Sequence, residues 1–190
     1  METIPLIKLT EQIKINQIPN FIEKITEQIN ENNTIYIQDI HGIQKNKPNI
    51  CLYQRLSRDY NLWIDNGPRN LGDTVDTFMS GANTITIRES LFRKLNINDI
   101  KDITENQIFI NIDLEKPTNT FFPNIDGKTI FEKRETIENN PKYNDVLKQQ
   151  TKNTPLYIYE NNPQNLTFWK KYNTQGIITN LDNIKEFKQK

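Results

Sequence analysis

Short apolar runs alternate with longer stretches of helical periodicity along most of the chain. The runs predict seven strands, at residues 4–8, 34–39, 62–65, 84–87, 107–112, 156–159 and 176–179. Between them, apolar residues recur at spacings of three and four, as Ile18, Ile22, Ile25 and Ile29 do before the second strand. Strands separated by helices predict a parallel sheet with helical crossovers, which is the pattern of an α/β fold.

One strand–turn–helix–strand pattern occurs twice, which indicates a duplicated unit. Its first copy begins at Leu62 and its second at Leu156. Duplication favours a closed barrel over an open sheet, and hence a TIM-type (βα)8 barrel formed by residues 1–190 as one domain. Such barrels typically need ~250 residues, and residues 114–154 contain no convincing buried strand. We therefore expect a barrel that is shortened or incomplete in its second half, with one βα unit lost or replaced by an irregular loop.

Composition narrows the classes of partner. The chain has 24 basic and 24 acidic residues and no basic block, which argues against duplex nucleic acid as a partner. No segment approaches the roughly 20 apolar residues of a membrane span, and the N-terminus lacks the apolar core of a signal peptide. The single cysteine, Cys51, excludes an intramolecular disulfide and is expected to be a small core residue. These features predict a cytoplasmic protein with no nucleic-acid and no membrane partner.

Polar residues stand at the C-terminal ends of the predicted strands, where parallel barrels form their sites. They are Lys8, Asp39, Asp65 with its turn through Arg69, Arg88, Asp113, Glu160 and Asn180. Strand ends are polar in any soluble fold, so the same residues are also consistent with solvated loop starts. His41 is the only histidine, and without cysteine or histidine neighbours it makes a poor metal ligand. Neither a metal site nor a cofactor is predicted.

Four segments of the first half resemble the HisA/HisF-like family, the ribotide isomerase and cyclase barrels of histidine biosynthesis. They are residues 4–9, 36–43, 65–69 and 81–91, within a match that covers about residues 4–113. The resemblance implies a barrel of two duplicated halves, whose isomerases use two aspartates as an acid/base pair to rearrange an aminoaldose. The first of these positions is Lys8 here, and the second is retained as Asp113. We therefore do not expect the standard isomerisation, which needs both acidic groups.

The resemblance also implies a substrate with two phosphates, held at turns and helix starts that follow the strands. One of these sites is expected to be retained, with Gly67, Arg69, Arg88 and Ser90 as phosphate-binding residues. The other is expected to be lost. The turn after residues 156–159 begins with Glu160, contains no glycine and adds a negative charge.

Two functions remain open from the sequence. One is a divergent enzyme, isomerase- or lyase-like, that acts on a small phosphorylated metabolite such as a sugar phosphate, with Asp113 and Lys8 as catalytic residues. The other is a non-catalytic binding or scaffold protein derived from such a barrel, in which Lys8 and Asp113 attract each other across a vacant mouth. A gap in the barrel would expose apolar surface, so a homodimer is a further expectation.

Overall fold

The computed structural model describes residues 1–31, 33–92, 94, 96–116 and 122–188, and its strands close into one parallel barrel. Each strand pairs with the next along the chain, and the last pairs with the first. The strands formed by the described residues are β1 Glu2–Leu9, β2 Thr34–Asp39, β3 Asn61–Asp65, β4 Ala82–Arg88, β5 Gln107–Asn111, β6 Gly127–Ile130, β7 Leu156–Tyr159 and β8 Thr174–Asn180. The predicted TIM-type α/β barrel is therefore confirmed.

Strand β6 lies within residues 114–154, where the sequence predicted no strand. All four of its residues are buried, and Thr129 aligns with Asn111 of β5 on one side and with Tyr157 of β7 on the other. The prediction of a lost strand was therefore wrong, because Lys128 and Thr129 leave this segment without an apolar run, and only its pairing with β5 and β7 makes it a strand. The reduced part is the connection from β5 to β6. Its described stretches, 112–116 and 122–126, contain no helix.

Helices fill most of the other connections, on the outside of the barrel. Those formed by the described residues are α1 Ile18–Thr26, α2 Ile40–Lys45, α3 Ile50–Leu56, α4 Leu71–Met79, α5 Ile97–Lys101, α6 Arg134–Glu138, α7 Pro141–Thr151, α8 Leu166–Trp169 and α9 Ile184–Lys188. None of them is long and apolar enough to cross a membrane. Residues 89–92 and 94, which follow β4, form turns, and α5 begins after Asn96, whose side chain accepts the N–H of Asn98 at 3.1 Å.

Aromatic side chains fill the inside of the barrel. The ring centroid of Trp63 lies 5.1 Å from that of Tyr36, 4.2 Å from that of Phe109 and 4.9 Å from that of Tyr157. Glycine makes room for one of these rings on the adjacent strand, since a Cβ at Gly127 of β6 would lie 2.4 Å from Cε1 of Phe109 on β5. The interior is therefore a packed core without a channel, as in other barrels of this size.

Helix α4 presents three apolar side chains to solvent. Leu71, Val75 and Met79 are 38%, 37% and 79% exposed, whereas Thr74 and Thr77 are buried. Thr74 and Thr77 each donate their hydroxyl proton to the backbone carbonyl four residues earlier, so their burial leaves no hydroxyl proton unpaired.

Cys51 is exposed on α3, so the expectation that it is a core residue was wrong. The buried side of this helix is formed by Leu52, Tyr53 and Leu56. Because these three side chains fill the interface between α3 and the barrel, Cys51 lies on the outer face of the helix.

Candidate functional site

Asp39, at the end of β2, organises the connection that follows it. Its carboxylate is fully buried. Oδ1 accepts the N–H of Gly42 at 2.9 Å, and Oδ2 accepts both the N–H and the side-chain amide of Asn49, at 2.8 and 3.0 Å. The hydroxyl of Tyr53 donates to the same Oδ2, and burial together with the charge of Asp39 raises the pKa of Tyr53 well above its usual value. Asp39 therefore has a fixed structural role, with its oxygens already occupied.

Asp65 and Arg88 form a buried ion pair across the ends of β3 and β4. Nε of Arg88 lies 2.9 Å from Oδ1 of Asp65, and Nη2 lies 2.6 Å from Oδ2. The Asp65 side chain is fully buried and that of Arg88 is 20% exposed. Burial by itself lowers the pKa of Arg88, but the charge and hydrogen bonds of Asp65 outweigh it and raise that pKa. The pair is of the planar bidentate kind, which is the strongest arrangement of these two groups.

A chain of hydrogen bonds extends from this ion pair to both sides of the mouth. The hydroxyl of Tyr36 donates to Asp65 at 3.2 Å. On the other side, Nη1 of Arg88 donates to Oδ1 of Asn111 at 3.2 Å, and the amide of Asn111 donates to Oγ1 of Thr129 at 3.3 Å. The network thus joins five consecutive strands, β2 to β6, and holds the exposed edge of Arg88 in one position.

The structure does not bring the four predicted phosphate-binding residues into one cavity. Gly67 adopts φ +68° and lies against α2, where a Cβ would approach Cα of Ile43 to 2.9 Å. Nη2 of Arg69 donates to the carbonyl of Ile43 at 2.9 Å. Arg88 and Ser90 instead line a cavity between β4 and β6. Only the second pair is placed to share a ligand there, and phosphate binding stays a prediction for all four residues.

Lys8 and Asp113, the two predicted catalytic residues, do not lie in the same site. Lys8 is exposed near the end of β1. Oδ1 of Asp113 accepts the backbone N–H groups of Glu115 and Lys116, each at 3.0 Å, which fixes the turn after β5. Among the described residues no ion pair joins Lys8 with Asp113. Asp113 lines the same cavity as Arg88, whereas Lys8 does not.

This space, which we name the β4–β6 cavity, has a volume of about 440 Å³. Its lining is formed by Arg88, Glu89, Ser90, Ile110, Asn111, Ile112, Asp113, Lys116, Phe122, Lys128 and Gln150. It lies beside the helix-poor connection from β5 to β6, so the absence of a packed crossover helix in the described stretches leaves room there. Its size falls within the usual range for small-molecule sites.

Lys128 lines this cavity but was not among the site residues predicted from the sequence. It is only 8% exposed, and its Nζ donates to the side-chain oxygen of Gln150. Burial lowers the pKa of Lys128, against a smaller opposing effect from the charge of Glu89. The neighbouring Thr129 faces the barrel interior, so alternation along β6 turns Lys128 outward into the cavity. If Gly127–Ile130 had been recognised as a strand, the alternation along it would have predicted this position of Lys128.

Glu160, at the end of β7, occupies the backbone groups that the resemblance would assign to a second phosphate. Its Oε1 accepts the N–H groups of Asn161 and Asn162, each at 2.9 Å. Its Oε2 accepts the amide of Asn165 and the indole N–H of Trp169, also at 2.9 Å. An internal carboxylate thus satisfies these donors. Among the described residues no group of three or more histidine, cysteine, aspartate or glutamate side chains is arranged to hold a metal ion.

No family model matches the chain, and no curated protein matches it. Similar solved structures do exist. A candidate dihydrodipicolinate synthetase from Pseudomonas aeruginosa aligns with a TM-score of 0.56 and 10% identity over 96% of this chain and 71% of its own. A dihydrodipicolinate synthase from Agrobacterium tumefaciens aligns with a TM-score of 0.57 and 11% identity over 98% of this chain and 71% of its own.

These findings overturn the resemblance to the HisA/HisF-like family, which was carried by short segments around the strand ends. Polar strand ends and the turns after them recur in parallel barrels because the site is formed there. Identities of 10% and 11% show a shared barrel fold. They do not carry an activity over to this chain.

Proposed function

We propose that this chain is an enzyme that acts on a small anionic metabolite, such as a sugar phosphate, in the β4–β6 cavity. The observation that carries the proposal is the buried amine of Lys128, which lies in one cavity with Arg88 and Asp113. An amine whose pKa is lowered by burial, beside a fixed guanidinium and a carboxylate, is typical of sites that move protons.

The anionic group of the metabolite would bind at the Arg88 side of the cavity. Arg88 uses three of its N–H groups on Asp65 and Asn111, and a guanidinium has five. Two N–H groups therefore remain for a phosphate or carboxylate, with the hydroxyl of Ser90 and the ammonium of Lys116 lining the same space.

The chemistry that this arrangement supports is isomerase- or lyase-like. A neutral fraction of Lys128 can accept a proton from a carbon next to a carbonyl, and Asp113 can exchange a proton on another side of the same cavity. The role first assigned to Lys8 is thereby transferred to Lys128.

The test is binding followed by turnover. Inorganic phosphate and a panel of sugar phosphates are titrated against the 15N-labelled chain, and we expect shifts at Arg88, Ser90 and Lys128. Any ligand that binds is then followed for conversion. Lys128→Met should abolish conversion and retain anion binding, while Lys148→Met, at an exposed position of α7, should change neither. Shifts confined to other parts of the chain would contradict the proposal.

A non-catalytic binding protein is the second candidate, and a specific observation favours it. The guanidinium of Arg88 is already neutralised by Asp65, and the barrel interior is filled by aromatic rings. Saturable binding in the β4–β6 cavity without conversion of any bound metabolite would select this candidate. The homodimer also stays a proposal. The exposed side chains Leu71, Val75 and Met79 support it, and light scattering of the wild type and of Val75→Lys tests it.

A further inference from the structure

The carboxyl ends of β1 and β2 form a part of the barrel mouth that the function proposed above does not use. We propose that this part, which we name the β1–β2 mouth, binds a small carboxylate attached to a flat aromatic ring. Its residues are Lys8, Gln38, Phe131 and Tyr159, and none of them lines the β4–β6 cavity. The two proposals can therefore fail separately.

Gln38 has a buried amide without a hydrogen-bond partner. The residue is only 6% exposed, and its side chain makes no hydrogen bond in the part of the chain that the structure describes. The one side-chain atom there that is both enclosed and unpaired is Oδ1 of Asn66, so the amide of Gln38 is open to a molecule of the size of water. Buried polar groups are rarely left unpaired in native proteins, and a polar ligand at the mouth would supply the partner.

Lys8 lies beside Gln38 on the inner side of the barrel. The two residues are partners in the register of β1 and β2. Leu6 and Tyr36 lie two residues earlier on these strands and belong to the interior core. Alternation along a strand turns Lys8 and Gln38 toward the barrel axis as well. The ammonium of Lys8 is exposed and forms no ion pair among the described residues, so an anion is the group that this position favours.

A carboxylate matches the two polar groups of the β1–β2 mouth. Nε2 of Gln38 can donate to one carboxylate oxygen. The ammonium of Lys8 has three N–H groups, which suffice for the other oxygen and for Oε1 of Gln38. Such hydrogen bonds to a charged acceptor are stronger than those between neutral groups, and together they would satisfy both atoms of the unpaired amide.

The floor of the β1–β2 mouth is aromatic. The ring centroid of Phe131 lies 5.5 Å from that of Tyr36, on the opposite side of the barrel, so Phe131 reaches across the barrel axis. It also stacks on Tyr159, at 5.5 Å and an interplanar angle of 16°. Both rings of this stack are half-buried, and the hydroxyl of Tyr159 is fixed because it donates to Asn180 and accepts from Asn161. A flat ring packs on such rings with favourable geometry.

The experiment compares three matched probes on the 15N-labelled chain. They are benzoate, benzamide as the uncharged analogue and cyclohexanecarboxylate as the analogue with a puckered ring, with sodium chloride at equal ionic strength. We expect benzoate to cause saturable shifts of the side-chain amide of Gln38 and of the backbone amides of Lys8 and Phe131. The other two probes should bind several-fold more weakly, because each lacks one of the two interactions.

Two variants separate the contributions of charge and amide. Lys8→Met should weaken benzoate binding roughly twofold to fivefold, as for one exposed ion pair, whereas Lys24→Met, exposed on α1, should leave it unchanged. Gln38→Met should weaken binding by about tenfold or more. It should not lower the Tm, since the amide has no hydrogen bond to lose, and the control Gln54→Met, exposed on α3, should retain binding.

Several results would overturn the proposal. They are equal binding of benzamide or cyclohexanecarboxylate, a linear response to benzoate, and unweakened binding by Gln38→Met. If Gln38→Met does not fold, the wild type decides, because an unshifted side-chain amide of Gln38 would mean that water alone satisfies it. Shifts confined to Arg88, Ser90 and Lys128 would place benzoate in the β4–β6 cavity, and the β1–β2 mouth would then not be its site.

Discussion

The ion pair between Asp65 and Arg88 allows a stability prediction that can be worked from the geometry. In Asp65→Asn, one carboxylate oxygen is replaced by an amide donor that would face a guanidinium donor only 2.6 Å away. Arg88 would then remain about four-fifths buried without a countercharge, since its side chain is 20% exposed. Removing one partner of a buried pair typically costs about 3–5 kcal/mol, and we expect a loss in that range.

The expected decrease in the free energy of unfolding of Asp65→Asn is large enough to measure by urea denaturation, with circular dichroism as the readout. For a chain of this length it corresponds to a fall in Tm of roughly 6–20 °C. Arg88→Met should also destabilise, because it leaves the buried carboxylate with the hydroxyl of Tyr36 as its remaining side-chain partner. The double variant Asp65→Asn/Arg88→Met removes both charges and should be at least as stable as either single variant.

Two results would refute this reasoning. A cost below about 1 kcal/mol for Asp65→Asn would mean that the pair is solvated like a surface salt bridge. Costs that simply add in the double variant would mean that Asp65 and Arg88 are not coupled.

Three further changes test other parts of the structure. Glu160→Gln replaces an acceptor of four hydrogen bonds and should cost about 1–3 kcal/mol in thermal unfolding; the control Glu138→Gln, whose ion pair is exposed, should cost clearly less. Gly127→Ala places a Cβ 2.4 Å from an aromatic ring and should cost roughly 1–3 kcal/mol, whereas Gly72→Ala, on α4, should be neutral or stabilising, and equal effects would contradict the packing account. Burial and the nearby carboxylate of Glu2 raise the pKa of Tyr157 from 10.0 to about 12. Because this pKa is higher in the folded than in the unfolded chain, protonated Tyr157 contributes to the free energy of unfolding below pH 10, and that contribution is lost as the pH rises toward 12. Tyr157→Phe should therefore flatten the fall in stability over that range, and an unchanged slope would count against it.

Much of the barrel could be predicted from the sequence, because apolar periodicity reports directly on backbone type. Seven of the strands were located from short apolar runs, and the repeat at Leu62 and Leu156 indicated closure. Strand β6 was not predicted, since Lys128 and Thr129 give it no distinct apolar pattern. It becomes a strand only by pairing with β5 and β7 on either side.

The candidate site, like the barrel, could be predicted from the sequence only in part. Strand ends selected Arg88 and Asp113 as mouth residues, and both line the β4–β6 cavity. The ion pair between Asp65 and Arg88 could not be predicted, because it depends on the register of β3 against β4. Lys128 was missed together with its strand.

The alternation of strands and helices, and with it the parallel barrel, could be predicted from local sequence patterns. Which face of each element is covered depends on tertiary packing. The apolar side of α4 is exposed at Met79, and the amine of Lys128 is buried in a cavity. Periodicity is a property of neighbours along one chain segment, whereas burial and ion pairing arise between segments that are distant in sequence and fill the same space.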